Sequence, residues 1–144
     1  MHVKLLGTLE LIGGRRSLDI GGPRQRAILA MLALSVNRVT TVEQLVEAVW
    51  DTDPPSTARG QVQTCISLLR KLFGPAGRPD VIRTHPHGYL LTLSGDELDS
   101  ELFADLVAQA RQQTEHGRIA AAATTLRKAL DLWRGPALAD IHSG

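Results

Sequence analysis

Between Thr57 and Phe73 the apolar residues Val62, Cys65, Ile66, Leu69 and Phe73 recur every three or four positions, and no other feature constrains the fold as tightly. That period belongs to an α-helix with one buried side. Gly60, Thr64, Ser67 and Lys71 lie opposite the stripe, flanked by Gln61, Gln63, Leu68 and Arg70. Gly74-Pro75 then stops the helix, as proline cannot continue it. Two extended runs follow, Val81 to Thr84 and Tyr89 to Leu93. They read as a β-hairpin around Pro86 that carries Arg83, His85, His87 and Tyr89.

The residues before this segment supply a sheet and two helices. Val3, Leu5, Leu9 and Leu11 recur at even spacing and predict one face of an extended chain, bent at Gly7. Gly13-Gly14 is a turn signal, and Ser17 to Ile20 can add a third short strand, giving a small antiparallel N-terminal sheet. Pro23 suits the first turn of a helix running through the apolar stretch to Leu34. Val39-Thr40 can form a minimal strand. Thr41 and Gln44 make a capping box for a helix whose apolar side is Val42, Leu45, Val46, Val49 and Trp50. Trp50 reads as a core anchor. The connection Asp51-Thr52-Asp53-Pro54-Pro55-Ser56 cannot be helical, because each proline disfavours helical backbone before it.

Beyond Ser94-Gly95 the texture changes. From Pro55 to Leu90 five basic residues face one acid, whereas from Leu91 to Glu115 six acids face only Arg111. The first part can meet phosphate and the second is repelled by it, although the whole chain has a net charge of only +1. Ser100 to His116 predicts a helix with Phe103, Leu106, Val107 and Ala110 on one side. Arg118 to Trp133 predicts a second, with Ile119, Ala122, Ala123, Leu126, Ala129, Leu130 and Trp133 on its apolar side. Together they span the roughly 34 residues of a tetratricopeptide-type pair. Such units stack on neighbours, so these residues are expected to be part of an incomplete second domain.

A helix with an exposed polar face beside a basic hairpin is the arrangement with which a winged-helix protein grips DNA, helix in the major groove and wing on the adjoining backbone. Alone, the polar face is what any surface helix has; the order helix, loop, basic hairpin is the informative part. Cys65, the single cysteine, excludes an internal disulfide, fits a reducing cytoplasm and reads as a buried thiol. His85-Pro86-His87 lacks a third ligand, so no metal is expected. Tyr89 could contact the DNA backbone or pack on the core, with packing slightly favoured. There is no GxxxxGK[ST], GxSxG or HExxH motif, so neither an enzyme nor a cofactor is expected. The longest apolar run, Ala27 to Leu34, is too short to span a membrane, and the N-terminus lacks a signal-peptide layout. A cytoplasmic, nucleoid-associated protein is the expectation.

The segments GGPRQRAILAMLAL, TTVEQLVEAVW, VQTCISLLRKLFG and VIRTHPHGYLL resemble the OmpR-type winged helix of the Streptomyces antibiotic regulatory protein family. FADLVAQARQQTEHGRIAAAATTLRKALDLWRGPALADI resembles the start of that family's bacterial transcriptional activation domain. The resemblance implies an α+β fold: a winged helix with an N-terminal antiparallel sheet over residues 1–95, then a tetratricopeptide-like helical hairpin over 96–144. It also implies a sequence-specific activator of secondary-metabolite genes that binds tandem direct repeats, with a homodimer possible on DNA, and contacts RNA polymerase and its sigma factor. Carried over to this chain, the DNA residues are Arg59, Gln61, Gln63, Thr64, Ser67, Arg70 and Lys71 on the helix, with Arg83, Thr84, His85 and Tyr89 on the wing. The polymerase-facing loop is Asp51, Thr52, Asp53, Pro54, Pro55 and Ser56. Two departures stand out: Leu68 replaces an arginine of the family's ISRLRK pattern, and His85 replaces a wing arginine. The competing readings are a helical protein-interaction module whose winged helix docks partners, and a piece of a larger signalling regulator.

Overall fold

A computed structural model describes residues 1–141. Three short strands, β1 (His2–Lys4), β2 (Glu10–Gly13) and β3 (Arg16–Leu18), form an antiparallel sheet in the order β1-β2-β3. Val3 faces Leu11 across it, and both are fully buried, as their even spacing predicts. Helix α1 (Pro23–Leu34) follows, then β4 (Thr40–Thr41), α2 (Val42–Trp50) and α3 (Ala58–Phe73). A second sheet, ordered β4-β6-β5, contains the hairpin strands β5 (Ile82–His85) and β6 (Gly88–Leu91). After a one-turn 3-10 helix (Gly95–Glu97) come α4 (Asp99–Glu115) and α5 (Ile119–Leu130).

The locally encoded features form as expected. Pro23 lies in the first turn of α1, and the Thr41–Gln44 capping box is complete. The stripe Val62, Cys65, Ile66, Leu69 and Phe73 is buried against one continuous core with Ile28, Leu29, Leu32 and Leu45. Boundaries shift where pairing decides them. The minimal strand is Thr40–Thr41 rather than Val39-Thr40, because these two residues oppose Tyr89 and Gly88. Gly88 is required there: a Cβ on it would lie 2.0 Å from the Thr40 carbonyl oxygen.

The helical pair differs more from expectation. Helix α5 stops at Leu130, three residues before Trp133, as tight turns carry the chain to a hydrogen bond from the Arg134 amide to the Leu6 carbonyl (2.8 Å). Its buried residues are Ala122, Thr125 and Ala129, whereas Ile119, Leu126 and Leu130 are exposed. Small side chains let α5 approach α4 closely, and the Thr125 hydroxyl donates to the Gln113 side chain across the contact (2.8 Å). Of the predicted apolar side, the small residues Ala122 and Ala129 are packed, and the large ones Ile119, Leu126 and Leu130 are not.

The loop between β1 and β2 joins the two halves of the chain. Leu5 to Leu9 have no strand partner, so their backbone groups need others. The Leu5 and Leu6 amides donate to the Asp99 carboxylate (2.7 and 3.0 Å). The Leu138 and Ala139 amides donate to the Leu5 and Gly7 carbonyls, and the Arg134 guanidinium donates to the Thr8 carbonyl. Asp140 accepts from the Leu9 amide (2.8 Å) and pairs with Arg26 of α1, which itself donates to the Leu9 carbonyl (2.7 Å). Gly7, at φ 140°, holds a conformation that side chains disfavour, and Arg134 packs directly over it. Arg78 pairs with Glu97 across the same boundary.

Candidate nucleic-acid interface

Helix α3 turns Gly60, Gln63, Thr64, Ser67, Leu68 and Lys71 to solvent, the side opposite its buried stripe. The hairpin β5–β6 rises beside it, with Arg83, Thr84 and His87 exposed and His85 and Tyr89 half-buried. Arg70 joins the two. Its guanidinium donates to the Ile82 carbonyl (3.0 and 3.2 Å) and to the Thr84 hydroxyl (2.8 Å), and lies 5.8 Å over the Tyr89 ring. A planar guanidinium suits such a multiple contact better than an ammonium would. Helix and wing are therefore held in register by a residue expected to face phosphate.

The other candidates divide by what already engages them. Lys71 and Arg83 make no ion pair among the described residues, and Gln63 and Ser67 stand free on the exposed side. Thr64 donates to the Gly60 carbonyl (3.1 Å). Arg59 pairs with Glu43 of α2. The backbone amide of Glu43, followed by Arg59, holds that carboxyl below its usual range. Gln61 is engaged at both ends of its amide, accepting from Arg24 and donating to the Thr57 hydroxyl (2.9 Å). Leu68 is 39% exposed, an apolar side chain amid polar ones. At the wing tip the His87 amide donates to His85 Nδ1 (3.2 Å), and the two imidazole rings lie 5.6 Å apart.

Trp50 and Cys65 lie where the sequence placed them, on the core. Trp50 is only half-buried; it packs on the core while Arg24 lies 5.3 Å over its ring. The Cys65 thiol is buried on α3, and burial raises its pKa against a smaller opposing effect of Arg24. Asp51 to Ser56 are all exposed. Asp51, Pro54, Pro55 and Ser56, with α2 and the start of α3, frame an open cavity of about 400 Å³ whose charged lining is Glu43, Glu47, Asp51 and Arg59. Sequence reasoning passed over Arg24, Asp99 and Asp140. Of these Arg24 and Asp140 carried a signal, as members of the GGPRQRA and LWRGPALAD runs that bear the resemblance, and Asp99 carried none.

Residues 20–91 match the family described as "Transcriptional regulatory protein, C terminal", and residues 98–144 match the bacterial transcriptional activator domain. The chain belongs to the Streptomyces antibiotic regulatory protein family. Members of this family are transcriptional regulators, a non-enzymatic kind of protein. The chain is 38% identical to the transcriptional regulatory protein MoaR1 of Mycobacterium tuberculosis, over 99% of its own length and 47% of MoaR1. It is 33% identical to the regulatory protein DnrI of Streptomyces peucetius, over 100% of this chain and 56% of DnrI. A solved structure of Mycobacterium tuberculosis EmbR in complex with a low affinity phosphopeptide superposes with a TM-score of 0.95 at 37% identity, covering 97% of this chain and 38% of EmbR. The chain thus spans about half the length of MoaR1 and DnrI. The winged helix followed by a helical pair is this family's fold, as the sequence resemblance implied. Among the described residues no helix is long and apolar enough to cross a membrane.

Proposed function

We propose that this chain is a sequence-specific DNA-binding transcriptional activator, with residues 1–95 as the DNA-binding unit and 96–144 as part of the activation module. The observation that carries this is the continuous exposed surface of Gln63, Thr64, Ser67, Leu68 and Lys71 beside Arg83 and His87, with the wing fixed to α3 by Arg70. Gln63, Thr64 and Ser67 offer donors and acceptors for base edges, and Leu68 offers an apolar contact for a thymine methyl. Lys71 and Arg83 neutralise phosphate. Arg59, paired with Glu43, and Arg70, spent on the wing, act chiefly in placing their neighbours.

The family supports the wider reading: binding to tandem direct repeats upstream of secondary-metabolite genes, as a homodimer on DNA, with Asp51 to Ser56 turned toward RNA polymerase and its sigma factor. Site selection from a random duplex pool, followed by footprinting, tests it. The expected product is a motif repeated in the same orientation, with copies about one helical turn apart. Recovery of no motif, with only non-specific binding, refutes it.

One observation favours a second reading. Ile119, Leu126 and Leu130 leave an apolar face on α5 open to solvent, which suits a protein-interaction module. On that reading DNA has no effect on the winged helix, and the same selection returns nothing.

A further inference from the structure

Arg24 occupies an adverse position. It is an exposed cation in the first turn of α1, where the helix dipole disfavours positive charge, and that turn contains no acidic residue. Among the described residues no carboxylate pairs with it. Yet its geometry is well defined: the guanidinium lies 5.3 Å over the Trp50 ring and donates to Gln61 Oε1. Gln61 is fixed in turn, with Nε2 donating to the Thr57 hydroxyl (2.9 Å). Residues from α1, α2 and α3 thus converge to hold one unneutralised charge beside the first turn of α3. The Trp50 contact and the Gln61 bond offset the dipole cost, but they leave the charge itself without a carboxylate partner.

The same network removes Gln61 from base reading. A glutamine reads adenine with both ends of its amide at once, and here both are already engaged. We infer that Arg24 is a DNA phosphate contact delivered from α1, and that Gln61 is its positioning residue and does not read a base. This rests on the DNA-binding reading above. Stacking on Trp50 and the bond to Gln61 orient the guanidinium beforehand, leaving its remaining N–H groups for a phosphate oxygen.

The test measures affinity of the full chain for the duplex recovered by selection, across about 0.05–0.2 M salt. Arg24→Ala is expected to bind about tenfold more weakly at 0.1 M salt, as loss of a charge-assisted hydrogen bond implies. Its plot of log affinity against log salt should be flatter by about one unit. Arg24→Lys keeps the slope. Arg24→Gln, which retains a hydrogen-bonding side chain, flattens it like alanine, and thermal melts of each variant confirm folding. Gln61→Ala weakens binding equally on every single-base variant of the duplex. Wild-type slope in Arg24→Ala and Arg24→Gln, while Lys71→Ala flattens it, overturns the inference and leaves the DNA reading intact. A changed base preference in Gln61→Ala overturns the positioning role. Absence of salt-dependent binding by the unaltered chain overturns the DNA reading itself, and this inference with it.

Discussion

Replacing Asp140 by alanine removes two contacts that hold the helical pair to the winged helix. The first is the acceptor for the Leu9 amide, at 2.8 Å. Leaving a buried amide unpaired costs about 1–3 kcal/mol. The second is the ion pair with Arg26, whose side chain, like that of Asp140, is 26% exposed. At that exposure water recovers part of the loss, and Arg26 keeps its bond to the Leu9 carbonyl (2.7 Å), so this adds about 1 kcal/mol at most. The total is about 1–4 kcal/mol. For a chain of this length a destabilisation of 1 kcal/mol lowers Tm by about 3 °C, so the expected drop is about 3–12 °C. Calorimetry would measure it, and hydrogen exchange at the Leu9 amide would locate it. Asp140→Asn keeps an acceptor and loses only the charge, and should fall by about 3 °C at most. If Asp140→Ala melts within about 1 °C of the parent and Leu9 exchanges no faster, the loop is not held as described.

Three further predictions concern the scaffold. Gly88→Ala places a methyl against the Thr40 carbonyl and the Thr41 Cα, both backbone, and should cost about 2–3 kcal/mol in urea unfolding; an unchanged midpoint would contradict the close approach of β4 and β6. The Thr40 hydroxyl is buried without a partner among the described residues, so Thr40→Val should stabilise by about 1 kcal/mol, and a lower Tm would show that the hydroxyl is satisfied after all. Burial acts to raise the Asp140 and Glu97 carboxyls, but the Leu9 amide and Arg26 for the one, and Arg78 and Ser94 for the other, outweigh it and leave both below their usual range. Their folded pKa values lie below the unfolded ones, so their stabilisation is full above about pH 5 and is lost as pH falls below about 4. Tm should therefore drop between pH 5 and pH 3, less steeply in an Asp140→Asn, Glu97→Gln double variant; equal acid slopes would remove the effect from these two groups.

What the sequence disclosed was what local rules govern. The α3 stripe, the Thr41–Gln44 box, Pro23 at the start of α1 and the alternation of Val3 and Leu11 each depend on neighbours within a turn or a strand pair. Contacts made at long range were not legible. Arg70 looks like any basic residue on a helix face until the wing folds back on it. Asp99 and Asp140 lie more than 90 positions from the loop amides they satisfy. On α5 the apolar pattern included Ala122 and Ala129, which are buried, but it missed Thr125, and its larger members Ile119, Leu126 and Leu130 stay exposed because close packing on α4 selects small side chains. In the candidate interface, the exposed side of α3 followed from periodicity, but which polar side chains remain free on it did not.

The exposed side of α3 and the wing are proposed as the DNA surface. Amide hydrogen exchange of the chain with and without the selected duplex tests this most directly. Added protection over residues 63–71 and 83–87, with α4 and α5 unchanged, is expected. Protection confined to α5, or none anywhere, would contradict it.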